Sequence, residues 1–201
     1  MEKREKSKHA KYHTGNLVSQ QLVQGFYRDL GVLYKNTKHI ERYIELGCGE
    51  GFVTRHLLDI HQPEEAFAID LDPEEVADAK VVLSDCNVSV GSIYNVEAEE
   101  ASFDMVVCCE VLEHLEEPEK ALEEIHRIAN KYVLLSVPRE PLWRFLNMVR
   151  FKYLLQFGNT PDHRNHWSRK QFMSFVEQKF EIVQVLSPTP WTVVLAKKIE
   201  S

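Results

Sequence analysis

Residues Arg42–Leu57 read RYIELGCGEGFVTRHL. A short apolar run with an acid near its end (Tyr43, Ile44, Glu45, Leu46) passes into three alternate glycines, Gly47, Gly49 and Gly51. It leaves with Phe52, Val53, Leu57 and Leu58 at helical spacing. Strand, glycine turn and helix in that order carry backbone N–H groups and a helix start up to a ligand. Glycine serves there because it adopts positive φ and has no Cβ to hold the ligand away. The spacing E-x-G-x-G-x-G also excludes two common readings. A dinucleotide fingerprint needs a small residue where Phe52 stands, and a phosphate loop needs a Gly-Lys-Ser/Thr ending.

The next stretch repeats the logic. Ala66-Phe67-Ala68-Ile69-Asp70 is a second apolar run ending in an acid, one helix beyond the glycines. A doubly wound fold places there the carboxylate that receives ribose hydroxyls. Asp72, followed by Pro73 and Glu74, reads as the N-cap of the following helix, Pro73–Leu83. Val88–Val90 is a short third strand. Phe103–Cys109 (FDMVVCC) is apolar almost throughout, as a central parallel strand buried on both faces must be. Pro118–Asn130 is an amphipathic helix, and Tyr132–Val137 a fifth strand closed by Pro138. Ser168 with Gln171 forms a capping box for a helix over Ser168–Lys179. Phe180–Leu186 and Thr192–Ala196 are joined tightly through Ser187-Pro-Thr-Pro190, which requires an antiparallel pair. Before all of these, Asn16–Tyr34 has helical spacing with Asn16 as cap.

Bulk properties bound the rest. A chain of 201 residues with 44% hydrophobic and 27% charged residues suits one domain with a sizeable core. We expect a single domain over 1–201, with a mobile tail over 1–13 and a substrate-side insertion over 139–167. No run is long enough to span a membrane and the start lacks a signal-peptide core, so the expected location is cytoplasmic. The four cysteines form no CxxC and read as reduced, buried small residues. Net charge is −7 but uneven: Met1–His13 and Arg139–Lys170 are basic, and the remainder is strongly acidic. Such a body is not expected to bind nucleic acid non-specifically, while a basic segment on it attracts anionic small molecules.

Together these features resemble the class I S-adenosylmethionine-dependent methyltransferases. Glu110-Val-Leu-Glu-His-Leu115 is similar to the post-strand motif of the ubiquinone-biosynthesis (type 11) small-molecule members. The resemblance runs from Tyr43 to Lys197, strong in the first half and loose between Arg139 and Trp167. It implies an α/β, Rossmann-like three-layer sandwich with a seven-stranded, mostly parallel sheet and an antiparallel C-terminal strand. It implies S-adenosyl-L-methionine as cofactor and methyl transfer to a small-molecule acceptor. Oxygen is the expected target, because the NPPY-type motif that goes with amino-group methylation is absent. Carried over residue by residue, Glu45 orders the glycine loop. Gly47, Cys48 and Gly49 approach the cofactor through their backbones, Asp70 holds the ribose, and Leu71 packs on adenine. Ser92 and the Ile93 N–H serve the adenine edge, and Cys109 and Glu110 lie beside the methionyl portion. Ser92 departs from the pattern, since many members carry an acid there.

For the chemistry, His163, His166 and His114 are the candidate proton acceptors, because imidazole titrates near neutral pH. Each has a structural counterpart reading: His163 and His166 as anchors of the insertion, His114 as a loop-orienting residue. Glu110, Glu113 and His114 also spell E-x-x-E-H, and His163 lies downstream. Small-RNA terminal 2′-O-methyltransferases bind a divalent metal with such a set, so a metal-dependent RNA enzyme is the alternative, and a cofactor-binding protein without turnover a third. The main reading needs no metal. Glu140–Phe157 carries Leu142, Leu146, Val149 and Tyr153 as one helical stripe with Arg144, Arg150 and Lys152 interspersed. It reads as a lid, then as a wall for an apolar or anionic acceptor, then as a peripheral membrane contact.

Overall fold

A computed structural model describes residues 17–149, 160 and 163–199. The elements run α1 (Leu17–Lys35), β1 (Arg42–Leu46), α2 (Phe52–Leu58), β2 (Glu65–Asp70), α3 (Pro73–Val82), β3 (Asn87–Val90) and β4 (Phe103–Cys109). A 3-10 turn (Leu112–His114) follows, then α4 (Pro118–Ile128), β5 (Ala129–Pro138), α5 (Leu142–Val149), α6 (Arg169–Val176), β6 (Phe180–Leu186) and β7 (Trp191–Lys198). The seven strands form one sheet ordered β3-β2-β1-β4-β5-β7-β6. Neighbours from β3 to β5 are parallel, and β7 runs antiparallel to both β5 and β6. The expected Rossmann-like sandwich with one reversed C-terminal strand is therefore borne out.

Alternation along the strands divides the core between two faces. Val106 and Cys108 of β4 join Leu122 and Ile125 of α4 and Phe172 of α6. Met105, Val107 and Cys109 join Leu30 and Leu33 of α1 and Leu57 of α2. All seven residues of β4 are buried, as the apolar run required. Asp104 within it is tolerated because its carboxylate accepts from the N–H of Glu41 at 2.9 Å and of Arg42 at 3.2 Å, and from Asn130 Nδ2 at 3.0 Å.

Several boundaries differ from the sequence expectation. α4 stops at Ile128, and β5 starts at Ala129 instead of Tyr132. Sheet pairing of Ala129 with Phe103 outweighs the helical periodicity there. α6 ends at Val176, three residues early. The capping box of Ser168 and Gln171 is formed, and Asp72 caps α3 by accepting from the Glu74 N–H at 2.8 Å. The proposed Asn16 cap, residues 1–13, and the Arg150, Lys152 and Tyr153 part of the insertion lie outside the described residues. Among the described residues no helix is long and apolar enough to cross a membrane.

Candidate active site

The parallel strands β1, β2 and β4 all end at one edge of the sheet, where connecting loops converge and α/β folds bind ligands. The loop after β1 occupies it. Gly47, Gly49 and Gly51 have φ of 74°, 51° and 86°, all left-handed. At Gly47 a Cβ would lie 2.4 Å from Val111 Cγ2, so glycine is needed both for φ and for the approach of the segment after β4. At Gly49 a Cβ would meet nothing nearer than Glu75 Oε2 at 3.9 Å, so this side of the loop is open. The loop is pinned to β2: the N–H groups of Gly47 and Cys48 donate to the Ile69 carbonyl at 2.8 and 3.0 Å.

Asp70 ends β2 and completes the tether. Its Oδ2 accepts from the Gly49 N–H at 2.8 Å and its Oδ1 from the Asp72 N–H at 2.9 Å. Leu71, next to it, is 74% exposed and offers an apolar surface at the same edge. Ser92 closes a turn by accepting from the Tyr94 N–H at 3.2 Å, and Ile93 is buried. Beneath the loop, Glu45 is 1% exposed and accepts a short hydrogen bond from Thr54 Oγ1, with Tyr43 OH 3.4 Å beyond. Burial pushes the Glu45 carboxyl up to about 8 against the pull of Thr54, and the charge of Asp70 adds to the rise.

The end of β4 is built differently. Cys109 is buried and its thiol is pushed up by desolvation. Glu110 has φ of 59°, an uncommon conformation for a side-chain-bearing residue. Its Oε1 accepts from Ser136 Oγ at 2.9 Å and its Oε2 from Trp191 Nε1 at 2.6 Å, tying β4 to β5 and β7. Desolvation raises its carboxyl to about 7, opposed by these two donors. Glu113 is buried and raised well above the carboxylate range, by desolvation first and the Glu110 charge second. Its Oε2 has no hydrogen-bond partner.

The histidines separate into two groups. Ligand-type atoms of Glu113, His114 and His163 lie within 4.8 Å of one another. The His114 and His163 rings meet edge to face at 5.0 Å, and Trp143 stacks on His163 at 5.6 Å. Glu110 stands outside this trio, with both oxygens held by Ser136 and Trp191. His166 is elsewhere: its Nδ1 is 3.5 Å from Glu140 Oε1, which is 3.6 Å from Arg144 Nε at the start of α5. Burial and the Arg144 charge lower its imidazole pKa, with Glu140 opposing. His166 thus sits where an anchor of the insertion would. The insertion's ends are joined, the Glu140 N–H donating to the Trp167 carbonyl at 2.9 Å.

Several residues here escaped the sequence reading. Asn165 Nδ2 donates to the carbonyls of Leu112 and Leu115 at 3.1 and 2.7 Å, clamping the end of the insertion onto the 3-10 turn. Trp191 touches Phe26 at 4.9 Å and Trp143 at 6.0 Å, joining α1, β7 and α5. Thr54 and Ser136 are small buried hydroxyls with no motif around them. Only the three tryptophans, a scarce and bulky residue type in this sequence, carried a signal that could have been followed.

Comparison with known proteins agrees with this geometry. Residues 44–135 match the family described as a methyltransferase domain. Over 121 residues the chain is 31% identical to the ubiquinone biosynthesis O-methyltransferase of Xanthomonas axonopodis pv. citri, covering 56% of this chain and 50% of that protein. It is 27% identical over 107 residues to an uncharacterized methyltransferase of Schizosaccharomyces pombe, covering 48% and 38%. The chain thus spans about half the length, or less, of the curated relatives it matches. A putative methyltransferase of Haloferax volcanii, solved in complex with the Trm112 methyltransferase activator, superposes with TM-score 0.72 at 14% identity, covering 90% and 93% of the two chains. Magnesium protoporphyrin IX methyltransferase of Synechocystis with bound SAH superposes with TM-score 0.66 at 16% identity, covering 92% and 89%. The resemblance to S-adenosylmethionine-dependent methyltransferases read from the sequence is borne out.

Proposed function

We propose that this chain transfers a methyl group from S-adenosylmethionine to the oxygen of a small-molecule acceptor. The observation that carries the reading is the E-x-G-x-G-x-G loop, open at Gly49 and tethered by Asp70 at the carboxyl edge of the sheet. The loop fits the cofactor: it offers close backbone approach, a carboxylate at ribose position and a buried acid, Glu45, for the cationic amino-acid end. When bound, the cofactor supplies an activated methyl and a good leaving group. The protein's part is to hold, orient and keep dry. Asp70 receives the ribose hydroxyls, Leu71 covers adenine, Ser92 and the Ile93 N–H face its edge, and Cys109 and Glu110 border the methionyl end. The described residues of the insertion lie on the acceptor side, with Trp143 and Trp191 as its apolar surface and Arg144 as a cation that suits an anionic group. His163, with His114 beside it, is the candidate to take the acceptor's proton; His166 is the less favoured one, given its pairing with Glu140. We place the reaction in the cytoplasm, where four unpaired cysteines stay reduced.

One observation favours a second reading. The buried, unpartnered Glu113 Oε2 beside two imidazoles is a donor set that suits a divalent cation. Glu113, His114 and His163 would hold it and polarise an acceptor hydroxyl, such as a ribose 2′-OH at an RNA end. The acidic body of the chain argues against RNA.

The test is calorimetric titration with S-adenosylhomocysteine, followed by transfer of labelled methyl to a panel of hydroxylated small molecules and RNA oligonucleotides, with and without chelator. Saturable binding and chelator-insensitive labelling of a small molecule are expected. Labelling that needs a metal moves the second reading to the front. No binding by the folded chain overturns both.

A further inference from the structure

Among the described residues, no cation is paired with the Tyr43–Thr54–Glu45 chain beneath the glycine loop. Glu45 accepts from Thr54 Oγ1, and Tyr43 OH lies 3.4 Å from the same hydroxyl. The titratable groups that interact electrostatically with Glu45 come from every neighbouring element. They are Tyr43 on β1, Asp70 on β2, Cys48 in the loop, Cys86 before β3, and Cys108 and Cys109 on β4. Each is neutral or an acid; none is a cation. A carboxylate buried to 1% exposure, with only the hydroxyl and the backbone N–H of Thr54 to favour its charge, is costly, and protonation relieves the cost. S-adenosylmethionine brings what is missing, because its amino-acid end carries an ammonium group.

We propose that cofactor binding is proton-linked: the ammonium of the cofactor calls a negative charge into the Tyr43–Thr54–Glu45 chain, and one proton leaves Glu45 for solvent as the complex forms. Thr54 acts as a positioning residue, aiming its hydroxyl at the carboxylate and favouring the ionised form. The inference rests on the cofactor reading above and adds to it a pH dependence. Since burial holds the Glu45 carboxyl up near 8, the group is mostly protonated at pH 7. Cofactor affinity then rises with pH until Glu45 is ionised without help.

The decisive measurement is calorimetry of S-adenosylhomocysteine binding at pH 7 in two buffers of unlike ionisation enthalpy, repeated from pH 6 to pH 8.5. For the parent chain we expect close to one proton released at pH 7. Affinity should rise by roughly tenfold per pH unit between pH 6 and 7.5 and flatten above about pH 8. Glu45→Gln should bind with no pH trend and no proton release, which also controls for protons carried by the ligand. Thr54→Val should keep the release and move the curve to higher pH. Binding without proton release, or release that survives Glu45→Gln, overturns the linkage while leaving the cofactor reading standing. An unmoved curve in Thr54→Val overturns the part given to Thr54. No binding at any pH by the folded parent overturns the cofactor reading itself. Should Glu45→Gln fail to fold, the buffer and pH series on the parent chain still decides.

Discussion

At one edge of the sheet stand two differently finished regions. Around β1 and β2 the polar groups answer one another: both oxygens of Asp70 receive backbone N–H groups, and Gly47 and Cys48 share the Ile69 carbonyl. Around β4, β5 and the insertion, buried polar atoms are left over. Glu113 Oε2 and Thr192 Oγ1 have no hydrogen-bond partner, and Glu140 Oε1, Arg144 Nε and His166 Nδ1 meet one another only at ion-pair distances of 3.5 and 3.6 Å. A buried orphan atom costs roughly 1–3 kcal/mol. The first region is preorganised, as the receptor proposed above for the cofactor should be. The second is less completely satisfied, and on the reading proposed above it is where the acceptor is chosen.

The largest test of that contrast is Asp70→Ala. It removes one bond to the glycine loop, one to the Asp72 N–H, and the carboxylate proposed for the ribose. We expect S-adenosylhomocysteine affinity to fall by about a hundredfold or more, on the order of 3 kcal/mol, in calorimetry. A loss within fivefold would mean that the β1–β2 edge is not organised by this residue. Next comes Gly47→Ala. The added methyl meets Val111 Cγ2 at 2.4 Å on a backbone with φ of 74°. Urea unfolding should show a loss of about 2–3 kcal/mol. A second change, Val111→Ala, should recover the steric part and leave the backbone part. Full recovery would show that the loop's left-handed turn is not under strain.

Trp191→Phe probes the other region. It keeps most of the contact with Phe26 and Trp143 and deletes the donor to Glu110. The Glu110 carboxyl sits at about 7, above its ordinary value. Its protonation favours the folded chain fully below the ordinary carboxylate range, and that contribution is lost as pH rises through about 7. On the alkaline side the ionised group depends on the indole. Thermal unfolding should therefore show a cost of about 1–2 kcal/mol at pH 8 and a smaller one at pH 6. S-adenosylhomocysteine affinity should stay within threefold. A cost independent of pH would show the indole to be packing alone.

The two regions also differ in how far the sequence displays them. The β1 loop is local: glycine spacing, an acid before it and an acid one helix later suffice to place Glu45, Gly49 and Asp70 together. The trio of Glu113, His114 and His163 depends on where the end of the insertion lands, and Asn165 fixes that by bonding carbonyls some fifty residues away. No periodicity reports such a contact. Glu110 illustrates the same point. Its place in E-x-x-E-H suggests a ligand, but Ser136 and Trp191, one from each of two later strands, claim its oxygens. The separation of His166 from His163 likewise follows from Glu140 and Arg144. The α4 boundary was misplaced because sheet pairing at Ala129 is a long-range effect.

The smallest expected change returns to the finished region and asks whether it is complete. Ser92 stands where an acid is common in the resembling family, and its hydroxyl is spent on the Tyr94 N–H at 3.2 Å. Ser92→Asp can keep that turn, since an Asp side chain accepts from the backbone N–H two residues on. Its second oxygen is then available to the adenine amino group. We expect S-adenosylhomocysteine to bind about threefold tighter, ~0.7 kcal/mol, a modest gain because the bond replaces water and adds a negative charge near Asp70. The analogue with hypoxanthine in place of adenine lacks the amino group and should show no gain. Tightening for both ligands would point to a better-formed turn. Weakening for both would place the base away from Ser92, and the β3 end of the edge would then belong with the unfinished region.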